Sequence, residues 1–161
     1  SSGVDALKAF AVSAEAIVQK NRSVANVTKN EILYLQDVIE KGDTSVLSSL
    51  VAVAKMYRDT AVGLAALPVP AELAESTLTL INVMMRSSGI TSDFARVNID
   101  PLAAMLALEQ YVPVSQSAEK TLAEMGTVYT IANITFPAGT PGATFLDSLA
   151  YYRTIVSGKA P

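Results

Sequence analysis

Ser117-Ala118-Glu119-Lys120 is the stretch whose residue types and spacing come closest to a catalytic pattern. Ser-x-x-Lys sets a nucleophilic hydroxyl one helical turn from a basic amine, as in penicillin-recognising acyl-transfer enzymes. Those enzymes add Ser-Asp-Asn and Lys-Thr-Gly elements on other segments. Here Ser92-Asp93 runs into Phe94, and Lys120-Thr121 into Leu122. The expectation is a serine that caps a solvated helical turn, and no catalytic residue is assigned.

Carboxylates offer a second chemistry. Helical di-iron proteins take Glu-x-x-His from two helices, and this chain has no histidine. Glu72, Glu75, Glu109, Glu119 and Glu124 are therefore read as solvated or as complementing helix dipoles. No stretch has the Asp/Asn spacing of a calcium loop. Gly139-Thr140-Pro141-Gly142 has two glycines, without the preceding strand and following lysine of a phosphate loop. No metal ligand, cofactor-binding residue or cofactor is assigned.

Two clusters suit contact better than reaction. Met84 and Met85 are adjacent, and methionine pairs either fill a core or line an adaptable groove. Tyr151-Tyr152-Arg153 turns one aromatic inward and leaves Tyr151 beside Arg153, a composition typical of interfaces. Tyr151, Arg153, Met84 and Met85 are the candidate interaction residues.

The 161 residues contain no histidine, no cysteine and no tryptophan. The usual proton shuttle and the usual transition-metal ligands are thus missing together. Hydrophobic residues make up 50% and charged residues 17%, which excludes intrinsic disorder. A net charge of -3 with scattered Lys and Arg argues against a nucleic-acid partner. The longest uncharged stretch, Met125 to Leu146, is broken by Asn133, Pro137, Gly139, Pro141 and Gly142, so it does not suit a membrane span.

Apolar residues recur every three to four positions, the helical period. Val4, Leu7, Ala11, Ala14 and Val18 form the first stripe. Thr28-Lys29-Asn30-Glu31 reads as a capping box, before a short helix that carries Ile32, Leu35 and Ile39 inward and ends at Gly42. Asp43 or Thr44 restarts a helix with Leu50, Val53, Tyr57, Ala61 and Leu64 inward, closed by Pro68 and Pro70. The next helix buries Leu73, Leu80, Ile81 and Met84, with a bend or break near Gly89. Val97-Asn98-Ile99 is expected to be extended, and Asp100-Pro101 starts a new helix. That helix should run to about Thr135, kinked or split near Pro113 and recapped at Ser115 or Ser117. A last helix places Phe145, Leu149, Tyr152 and Val156 inward and ends at Gly158. The expected fold is all-α, one domain over 1–161. It is a bundle of about four longer helices plus shorter ones, packed near antiparallel.

Leu67-Pro68-Val69-Pro70-Ala71-Glu72-Leu73-Ala74-Glu75 with Leu78-Thr79-Leu80-Ile81-Asn82, and Asp100-Pro101-Leu102 through Tyr111, carry a resemblance. Together they resemble a family of all-helical proteins from candidate-phylum bacteria with reduced genomes. Those proteins often have an N-terminal hydrophobic segment and sometimes lie near pilus or secretion genes. The resemblance covers residues 67–111 and carries over no catalytic residue. It implies an exported or surface-tethered module, placed outside the cytoplasm and joined to the membrane only through a segment preceding Ser1. The expected role is protein–protein interaction, self-association or assembly of a surface apparatus. The alternative is a sensor-type bundle that holds a small-molecule ligand between its helices.

Overall fold

The computed structural model describes residues 2–158, so the outermost ends of the expected domain lie outside the described residues. Among the described residues the chain is all-α and has no strand. Six α-helices form: α1 (Val4–Ala25), α2 (Glu31–Lys41), α3 (Leu47–Ala65), α4 (Ala74–Ala95), α5 (Pro101–Ile131) and α6 (Ala143–Val156). Four are long and two short, as the periodicity predicts.

Local chemistry sets most boundaries. Gly42 ends α2, and Asp43 caps a 3₁₀ turn over Thr44–Val46 that leads into α3. The chain leaves α3 before Pro68, and Pro70 starts the 3₁₀ turn Ala71–Leu73 ahead of α4. Asp100 accepts a hydrogen bond from the Ala103 backbone N–H at 3.0 Å, with Pro101 at the first helical position.

Other expectations need correction. Asn30, not Thr28, caps α2, its side chain accepting from the Leu33 N–H. The backbone N–H groups of Thr28 and Lys29 instead donate to the Tyr34 hydroxyl, which fixes the loop before the helix. Tyr34, Leu35 and Val38 face the core, while Ile39 is exposed. Val97–Ile99 is a turn, closed by the Asp100 N–H donating to the Arg96 carbonyl. Val4 and Val156 are exposed, and Leu149 is the buried anchor of α6.

Gly89 and Pro113 do not end a helix. The Ser88 hydroxyl donates to the Ala54 carbonyl of α3 at 2.7 Å, which holds α4 against its neighbour where glycine weakens it. Pro113 lies on the solvent side of α5, as does Glu109, the residue whose carbonyl loses its partner. Water can reach that carbonyl, so the helix passes through. Ser117 is consequently an interior helical residue whose carbonyl accepts from the Thr121 hydroxyl, not a cap.

The helices enclose two cores. The upper core joins α1 to the end of α3, the start of α4, the second half of α5 and α6, through Leu7, Phe10, Leu64, Leu80, Met125 and Leu149. The lower core joins α2 to the start of α3, the end of α4 and the first half of α5, through Leu35, Leu50, Val53, Ile90, Phe94 and Val114. Because the end of α3 meets the start of α4, and the end of α4 meets the start of α5, consecutive long helices run in opposite directions.

Asp37 ties the lower end together. Its carboxylate meets Lys29 and Lys41, each at 2.7 Å. These hydrogen bonds, Lys29 first, hold the carboxyl below the usual carboxylate range. A lowered folded value means that the unfolded chain takes up the proton first. The stabilisation is complete above the unfolded value of about 4 and disappears as pH falls through the folded value. Thermal melts taken from neutrality into acid should therefore show Tm falling below about pH 4, with a shallower fall in Asp37→Asn. Parallel curves for the two proteins would contradict the assignment.

Candidate functional site

Helix α5 carries the feature that the fold does not use. Its second half is flanked by α6, whereas its first half rests on α4. Ala104, Ala107 and Val114 face inward there. Leu102, Met105, Leu106 and Val112 occupy the opposite side, with Leu108 at one edge and Ile99 just before the helix. These six are 48–82% exposed. Single exposed aliphatics are ordinary, but a contiguous stripe is not. Glu109 is the only charged residue between Asp100 and Glu119. The surface there is long, apolar and nearly neutral.

A second feature is the seam between α5 and α6. Gly126 lets the two helices approach closely: a Cβ there would sit 2.8 Å from Arg153 Cδ and 3.1 Å from the Leu149 carbonyl. Arg153 lies across this point, and its guanidinium donates to Thr130 Oγ1 at 2.5 Å. On one side is a cleft of about 260 Å³ reached by Tyr129, Phe136 and Asp147. On the other is an open groove of about 680 Å³ bounded by Lys120, Glu124 and Thr154. Gly126→Ala should lower stability by about 1–3 kcal/mol through overpacking. Alanine's helix preference offsets about 1 kcal/mol. A urea midpoint above that of the parent would contradict the close approach.

The four candidate interaction residues do not form one surface. Arg153 lines the seam, and Tyr151 is exposed and stacked edge-on against Tyr152, with ring centroids 5.4 Å apart. Met84 packs partly into the upper core, and Met85 points outward on α4. In the Ser-x-x-Lys stretch, Lys120 is exposed and leans toward Glu124 at 3.9 Å.

Besides Asp37, sequence reasoning passed over two buried acids. Glu15 on α1 accepts from the Gly142 N–H at 3.0 Å and the Phe145 N–H at 2.8 Å. It caps α6 from another helix, so the glycine-containing loop already holds an anion from its own chain. Glu31 accepts from the Tyr57 hydroxyl at 2.8 Å, and burial pushes that phenol well above its ordinary value. A signal for Glu15 was visible: Leu7, Ala11 and Glu15 lie four apart, which puts the acid on the apolar stripe.

Among the described residues no group of three acidic side chains converges on a common point, and no helix is long and apolar enough to cross a membrane. Over the described residues the chain is thus an all-α helical bundle with an uncovered apolar helix face on α5. No family model, curated protein or solved structure matches it.

Proposed function

We propose that this chain is a non-enzymatic contact module whose working surface is the outward face of α5 between Leu102 and Val112. The observation that carries the reading is an apolar stripe placed opposite the residues that α5 gives to the core. Burying such a stripe against another surface is favourable at roughly 25 cal/mol per Å² before association costs. Leaving it in water invites non-specific association, which favours a partner that covers it. The resemblance over residues 67–111 supports placement outside the cytoplasm.

Photo-crosslinking in the producing cells tests this. A photoreactive amino acid at Leu102 or Met105 should yield higher-mass adducts, while one at Val62, an isolated exposed residue on α3, should yield none. Equal yields at all three positions, or none at any, would contradict the reading.

A further inference from the structure

We infer that the occupant of the α5 face is a second copy of this chain, joined by an antiparallel two-fold pairing of the segments from Ile99 to Val112. The inference rests on the contact reading above and goes on to name the partner. Area supports it. Six side chains with half to four-fifths of their surface exposed present roughly 600 Å² per protomer, or about 1,200 Å² for the pair. Covering all of it would reach the lower bound for a specific interface.

Charge supports it too. A two-fold contact sets the same patch against itself, so a strongly charged patch would repel its copy. The segment carries two acids, Asp100, which lies 3.9 Å from Arg96, and Glu109. In a parallel pairing the two Glu109 carboxylates would face each other inside the contact. In an antiparallel pairing centred near Ala107, the two Glu109 carboxylates are offset by four residues, about 6 Å along the axis, and Leu102 lies opposite Val112. The helix dipoles also oppose favourably only in the antiparallel arrangement.

Sedimentation equilibrium of the purified chain should show the mass rising from one protomer toward two between about 1 and 500 μM, the weak association expected of a small interface. Leu102→Glu with Met105→Glu should remain a helical monomer throughout that range. The chain has no cysteine of its own, so engineered thiols report geometry cleanly. An oxidised mixture of Leu102→Cys and Val112→Cys should give mainly the disulfide between the two different variants. Predominant Leu102→Cys homodimers would overturn the antiparallel pairing. A parent chain that stays monomeric at every concentration would overturn the second copy as occupant, as would a dimer untouched by the double glutamate variant. If adducts form in cells while the purified chain stays monomeric, the second copy is excluded and the contact reading stands.

Discussion

Replacing Glu15 with alanine should destabilise the protein by about 2–4 kcal/mol. The residue is only 8% exposed, and its carboxylate accepts from the backbone N–H groups of Gly142 and Phe145. Its removal strands two donors at the start of α6, each costing about 1–3 kcal/mol when water cannot replace the acceptor. It also removes the polar tie between the first helix and the last, leaving apolar packing such as Phe10 on Phe145. Gly142 adds to the effect because it has φ +93° and lies against the Phe136 ring, leaving the loop little room to rearrange. Glu15→Gln keeps an acceptor oxygen and loses the charge, so it should fall between alanine and the parent. Urea unfolding measures the series, and an unchanged midpoint in Glu15→Ala would show that the cap is dispensable.

Phe94→Ala should cost about 3–5 kcal/mol, the range for deleting a fully buried ring. Phe94 has no exposed surface and lies at the centre of the lower core, with its ring 6.1 Å from that of Tyr111. It also lies near the turn that passes the chain from α4 to α5. The cavity would open beneath the first half of α5, the half that α6 does not cover. Amide exchange should therefore speed up most in residues 101–114. Uniform acceleration across both cores would show that the two cores unfold as one unit.

The sequence made the helix ends legible where the chemistry is local. Gly42, Pro70 and Asp100-Pro101 act within a few residues of themselves, and each sits at a helix boundary. Gly89 and Pro113 carry the same kind of signal, yet tertiary context decided the outcome. A hydroxyl bond to α3 supports the first, and solvent exposure relieves the second. Glu15 and Glu31 were missed because their partners stand 127 and 26 residues away. The α5 face was hidden differently. Leu102-Ala103-Ala104-Met105-Leu106-Ala107-Leu108 is apolar all round, and such a helix ordinarily reads as buried. Only the placement of α4 and α6 shows that one side of it remains uncovered.

The central claim is that this uncovered side serves contact and adds little to the fold. The most direct test is the unfolding free energy of Leu102→Glu with Met105→Glu, measured in urea at a concentration low enough to keep protomers apart. The account predicts a value within about 0.5 kcal/mol of the parent, as for surface substitutions. A loss of several kcal/mol would place these side chains in the core and contradict the claim.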